Sequence, residues 1–213
     1  MLHFLVDWAE RWDWRSEGVS PSRLVEAVQR GQRIGIFQDA GRTDWWPTQQ
    51  PLPAGIERIP GWPPGSSYDL VVVISDRLIE IGEDVTRTVI YRPRTLTLGV
   101  SGLPVDEPEA FHRTVVEFLQ QQHLSLASLT ALATPRGDTG TPIFYDWAET
   151  QRVPLLEYAP ERLALLRPSQ VSSENRLWET EAAAMLAAST RQLLVPATVC
   201  QGWIFAIARR QTG

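Results

Sequence analysis

Two short loops hold the residues best suited to chemistry. The first runs from Gly99 to Asp106, leaving an apolar stretch and opening a helix at Pro108. A loop ending at a helix N-terminus aims free backbone N–H groups outward, so Gly99, Ser101 and Gly102 are expected to bind anionic groups of a substrate. The same glycines would also suit a tight strand–helix turn with no ligand. The second loop, Arg136-Gly137-Asp138-Thr139-Gly140, follows another apolar stretch. Its glycines let backbone approach a ligand; Arg136 would clamp a carboxylate and Asp138 would act as a base, with Gly137 and Gly140 beside them. A solvated polar turn is the competing reading.

Other polar residues read as structural. Asp76-Arg77 closes the apolar run Asp69–Ser75, where an ion pair sealing a sheet edge is expected, and Asp39 stands in the same relation to Arg33–Phe37. His112 falls in the first turns of a helix, as an exposed histidine or one reaching the nearby loop. Cys200 reads as a buried thiol. The nine Trp include Trp45-Trp46 and Trp62 among prolines and glycines, where rings cap a core edge or stack on a ligand.

Composition removes several classes of function. The chain has 213 residues, a net charge of -5 and a pI near 5.3, with no basic run of the kind a nucleic-acid binder needs. All 20 side chains counted as Lys or Arg are Arg, which rules out a lysine Schiff base and a Walker-type phosphate loop. His3, His112 and His123 form no paired ligand motif, so no protein-bound metal is expected. No apolar run approaches the ~18 residues of a membrane-spanning helix. One Cys and no signal-like start lead to the expectation of a reducing, cytoplasmic compartment.

The elements that must carry these loops follow from pattern. Ser22–Arg30 has helical spacing and stops at Gly31. Strands are expected over Arg33–Phe37, near Gly55–Ile59, over Asp69–Ser75 and over Thr88–Tyr91. Arg92-Pro93-Arg94 breaks the pattern, dividing residues 1–93 from 94–213. After it come a strand over Thr95–Val100, a helix from Pro108 to Gln121 or Gln122, and a strand over Leu129–Thr134. A helix over Ile143–Glu149, a strand over Pro154–Tyr158 and a helical turn or two over Glu161–Leu166 follow. A helix over Trp178–Ala188 and strands over Gln192–Val195 and Trp203–Ala208 close the chain. This is an α/β protein of two small α/β domains, the C-terminal one a mixed sheet with helices on both faces.

The order of these segments resembles one family. Val71-Val72-Val73-Ile74-Ser75-Asp76-Arg77 is similar to a strand end in the central domain of the CbiG family, and Arg92-Pro93-Arg94-Thr95-Leu96-Thr97-Leu98-Gly99 to its junction with the C-terminal domain. Ser128–Thr134, Glu181–Ala184, Leu193-Leu194-Val195-Pro196 and Ile204–Arg209 keep the family order. The resemblance implies cobalamin (vitamin B12) biosynthesis: hydrolysis of the ring-A lactone of cobalt-precorrin-5A with release of acetaldehyde. It also implies a cobalt-corrinoid precursor as partner, with cobalt present only within that substrate, and a separate CbiG N-terminal domain or a pathway methyltransferase as a further partner. The chain departs from the family pattern after its first C-terminal strand. It reads Gly99-Val100-Ser101-Gly102-Leu103-Pro104-Val105 where the family carries a Cys and a cation, and Ala197 replaces a Lys. Those departures leave a non-catalytic corrinoid-binding protein of the same pathway as the alternative. The sequence opens at Met1 roughly where the family's central domain begins, so the family's N-terminal domain, with its Gly-Gly-rich, Asn-bearing motif, is expected to be absent.

Overall fold

A computed structural model describes residues 8–47, 49–64, 67–102, 108–138, 141–166 and 177–210. They fall into two compact units, one up to Arg94 and one from Thr95.

The first unit contains helix α1 (Trp8–Trp12), strand β1 (Arg15–Gly18), helix α2 (Ser22–Gln29) and strands β2 (Ile34–Gln38), β3 (Ile56–Ile59), β4 (Leu70–Ile74) and β5 (Thr88–Arg92). The sheet order is β1-β5-β4-β2-β3. β2 to β5 are parallel and β1 adds an antiparallel edge. β4 is buried at every position, which is why its sequence is an unbroken apolar run. α2 places Leu24 and Ala27 on one face, in a core with Trp8, Trp14, Trp45 and Tyr91. On the other face Trp62, Tyr68, Ile79 and Ile81 pack over Ile59, Val71, Val73 and Ile90. The tryptophans therefore supply core area that one short helix could not: Trp8 alone meets Trp12, Trp14, Trp45 and Tyr91 with centroids 4.9–6.3 Å apart.

The second unit contains β6 (Leu96–Gly102), α3 (Pro108–Gln121), β7 (Leu129–Pro135), α4 (Thr141–Gln151), β8 (Leu155–Tyr158), α5 (Pro160–Leu163), α6 (Leu177–Ala188), β9 (Leu193–Cys200) and β10 (Trp203–Arg209). The order is β8-β7-β6-β10-β9. β6, β7 and β8 are parallel, while β10 runs antiparallel to both β6 and β9. Phe111, Val115, Phe118 and Leu119 of α3 and Phe144, Trp147 and Ala148 of α4 pack on Leu98, Val100, Leu132, Phe205 and Ile207. α6 covers the opposite face with Ala182, Ala183, Ala184, Ala187 and Ala188. The result is the mixed sheet with helices on both faces. Small side chains let α6 lie close to the sheet, and Ala133, Ala206 and Ala208 answer them from the strands.

Candidate functional site

Strand direction and order locate the site. The chain steps from β6 through β7 to β8 on one side and returns to β9 and β10 on the other. In open α/β sheets, ligands bind outside the carboxyl ends of the parallel strands, where such a reversal occurs. Register aligns Gly99 with Ala133 and Pro135 with Tyr158, so the ends of β6, β7 and β8 form one edge. Both loops singled out from the sequence begin there.

Gly99 and Ser101 are more deeply placed than a ligand contact requires. A Cβ on Gly99 would collide with the Thr180 carbonyl of α6 and come within 2.9 Å of the Ala184 Cβ. Gly99 is thus the point where helix and strand touch. The Ser101 and Thr180 hydroxyls are hydrogen-bonded at 2.5 Å, and both residues are fully buried. Gly102 pairs with Trp203, and a Cβ there would come within 2.8 Å of the Gly202 carbonyl and 3.0 Å of the Trp203 ring. Gly140 and residues 103–107, with Asp106, lie outside the described residues.

The turn after β7 is arranged differently. Arg136 is exposed, its backbone N–H donating to the Tyr158 carbonyl at 2.8 Å, and its guanidinium has no carboxylate partner among the described residues. Gly137 is exposed with φ +79°, a conformation that makes the glycine necessary. Asp138 is only 4% exposed, and its N–H donates to the Pro135 carbonyl at 3.3 Å. One turn therefore presents a cation outward and a carboxylate inward. Beside it the buried Thr134 hydroxyl has no hydrogen-bond partner among the described residues.

Two residues at this edge escaped sequence reasoning: Tyr158, the last residue of β8, and Arg162 in α5. Burial pushes the Tyr158 phenol above the ordinary tyrosine range, with Arg162 acting in the opposite sense. The available signal was position alone, a polar ring ending a parallel strand.

His112 turns toward α4. Its Nδ1 accepts a hydrogen bond from the Trp147 indole at 3.1 Å, which leaves the imidazole proton of the neutral form on Nε2. It lines a groove of about 510 Å³ with Pro108, Glu109, Asp146, Thr150 and Gln151. Burial raises the Cys200 thiol, so it rests protonated.

In the first unit Arg77 pairs with Asp39 at 3.8 Å, across the ends of β4 and β2. The expected ion pair at this edge exists, formed between two loops. Arg92 is buried; its Nε donates to Glu17 at 2.9 Å and its guanidinium also reaches the Ser75 and Arg77 carbonyls. Among the described residues no group of three or more His, Cys, Asp or Glu could hold a metal ion, and no helix is long and apolar enough to cross a membrane.

No family model matches the chain. A curated cobalt-precorrin-5A hydrolase of Priestia megaterium is 29% identical over 129 residues, which covers 58% of this chain and 34% of the relative. The match thus spans about a third of that relative's length. Among solved structures, the cobalamin biosynthesis protein chiG of Agrobacterium tumefaciens is 20% identical, covering 53% of this chain and 95% of that one, with a TM-score of 0.44. CobE, a protein of the cobalamin biosynthetic pathway, is 27% identical, covering 55% and 92%, with a TM-score of 0.47. A cobalamin biosynthesis protein G homolog of Sulfolobus solfataricus is 13% identical, covering 98% and 58%, with a TM-score of 0.46. The resemblance carried by the ordered sequence segments is matched by the curated relative: over 58% of its length the chain is similar to a cobalt-precorrin-5A hydrolase.

Proposed function

We propose that the chain acts in cobalamin biosynthesis by hydrolysing the ring-A lactone of cobalt-precorrin-5A, with release of acetaldehyde. The similarity to a hydrolase of that name supports the pathway. The observation that carries the site is the turn after β7, where the exposed Arg136 and buried Asp138 sit together at the carboxyl edge of parallel strands. A corrinoid precursor is a polycarboxylate, and the Arg136 guanidinium supplies a planar fork for one of its acidic arms. Asp138, largely withdrawn from water, would take the proton from the water that attacks the lactone carbonyl. That attack opens the ring to a carboxylic acid and an alcohol, and loss of acetaldehyde then breaks a carbon–carbon bond. Cobalt enters with the macrocycle and needs no protein ligand.

A second reading, a corrinoid-binding protein without catalysis, is favoured by one observation: the Ser101 hydroxyl is committed to Thr180. Both readings meet in one experiment. Under anaerobic conditions, with and without a separately supplied CbiG N-terminal domain, cobalt-precorrin-5A is mixed with the protein while acetaldehyde and absorbance are followed. The hydrolase reading expects acetaldehyde, with D138N slowing release by about 10²–10⁴-fold. A saturable spectral change without acetaldehyde leaves the binding reading. Neither signal below about 1 mM removes both.

A further inference from the structure

In the first unit a cavity of about 220 Å³ opens at the amino ends of β4 and β5, away from the carboxyl edge where Asp39 and Arg77 pair. Three guanidinium groups line it, those of Arg23, Arg30 and Arg87, against two carboxylates, Glu26 and Asp69. The spacing of Arg23, Glu26 and Arg30 puts them on one stripe of α2 and its C-terminal cap. Thr86 and Arg87 enter from the turn before β5. Both carboxylates are engaged: Glu26 accepts from Arg23 at 3.4 Å, and Asp69 from the Arg33 backbone N–H at 2.8 Å. Two donors are not. Neither the Arg30 guanidinium nor the Thr86 hydroxyl has a hydrogen-bond partner among the described residues. The helix does not need the Arg30 side chain either. The carbonyls that a C-terminal cation would cap, those of Glu26, Ala27 and Val28, already accept from the backbone N–H groups of Arg30, Gln32 and Gly31 at 3.0 Å.

Guanidinium forks and a hydroxyl donor around a small polar cavity are the complement of a compact, multiply charged oxyanion. We propose that Arg30, Arg87 and Thr86 bind one phosphate group here. Arg23, paired with Glu26, offsets that carboxylate's repulsion of the anion. A monocarboxylate would answer one fork and leave the other unmatched; a phosphate dianion has oxygens for both guanidinium groups and for the hydroxyl. The cavity is smaller than the roughly 300–1,000 Å³ of sites that enclose drug-sized ligands, so it takes this one group and not a tetrapyrrole. The site is independent of the corrinoid reading of the second unit. Its phosphate is either the free ion or the phosphoryl end of a small metabolite.

The test titrates inorganic phosphate and glycerol 3-phosphate calorimetrically into the full chain at about 0.1 M ionic strength, where long-range attraction is screened. Saturable binding below about 1 mM is expected for at least one of them, and the tighter of the two identifies the free ion or the phosphoryl end. R30Q and R87Q should each weaken it about 10-fold, and T86V about 3-fold, as for a neutral hydrogen bond. R191Q removes the same charge at an exposed position of the second unit that does not line the cavity, and should bind within about 2-fold of wild type. All the substituted residues are exposed, so thermal unfolding should stay where it is and the weaker titrations report binding and not loss of fold. Amide shifts on adding phosphate should concentrate at residues 30–32 and 86–88. No saturable binding of either probe below about 1 mM overturns the site. An equal loss in R191Q marks diffuse attraction and overturns it too. Unchanged binding in R30Q and R87Q, with shifts elsewhere, overturns these residues. Citrate binding more than about 10-fold tighter than both probes overturns the phosphate class.

Discussion

At the scale of single residues, Gly99 shows how one missing methyl group sets the position of a helix. The strand reaches α6 there, and a Cβ would have to occupy the space of the Thr180 carbonyl and the Ala184 methyl. Backbone cannot step aside as a flexible side chain can. G99A is therefore expected to destabilise the second unit by about 1–3 kcal/mol, the usual cost of overpacking. It should also disturb the Ser101–Thr180 hydrogen bond immediately beyond. Urea denaturation would read the first effect. An unchanged midpoint would mean that α6 is free to lift and is not held close against β6 at Gly99. The sequence shows a glycine after Leu98, which reads equally well as an anion-binding loop residue; only the identity of the covering helix decides between packing and binding.

At the scale of elements, strands and helices with strong internal patterns were legible and those made by their neighbours were not. The apolar run at β4, the helix opening at Pro108 and the alanine-rich α6 were readable because burial on both faces, capping and helix propensity leave local marks. β1, Arg-Ser-Glu-Gly, carries no strand signal and exists because it pairs with β5. β9 continues past Pro196 to Cys200, further than the expected end at Val195, because an edge strand tolerates a proline that cannot donate. The site divides in the same way: the Arg136–Asp138 turn is visible as a motif, whereas Tyr158 needs the register of β7 and β8. Arg92 makes the point for β1 energetically. Its Nε donates to Glu17 of β1 while its Nη1 donates to both the Ser75 and Arg77 carbonyls, just past the end of β4. R92Q withdraws these charge-assisted bonds at a buried position and is expected to cost about 2–4 kcal/mol. E17Q changes a group whose side chain is 41% exposed, and its loss should stay below about 1 kcal/mol. Chemical denaturation of the two variants, with amide exchange over β1, separates the cases. Equal losses would show that the ion pair, and not the carbonyl bonds, is what Arg92 contributes.

At the scale of the molecule, the core is divided as the chain is. Trp8, Trp14, Leu24, Val72 and Tyr91 fill the first unit's core; Phe111, Phe118, Phe144, Trp203 and Phe205 fill the second's. The second unit carries the whole candidate site, and both edge strands of its sheet are its own. Its extent, Thr95–Gln211, lies within the size range in which single domains fold alone. Each fully buried Phe or Leu side chain contributes about 1.5–3 kcal/mol, so the interlocked aromatic rings supply a driving force that needs no help from residues before Thr95. A fragment of residues 95–211 is therefore expected to unfold cooperatively, with near-ultraviolet dichroism from Trp147 and Trp203 lost in the same transition as the helical signal. If the tertiary signal is missing while the helical signal remains, the fragment has collapsed without packing, and the second unit depends on the first for its native core. With the tertiary signal present, cobalt-precorrin-5A binding by the fragment should match that of the full chain, because Arg136 and Asp138 both lie within it. Binding by the full chain alone would transfer part of the ligand's acidic arms to groups in the first unit.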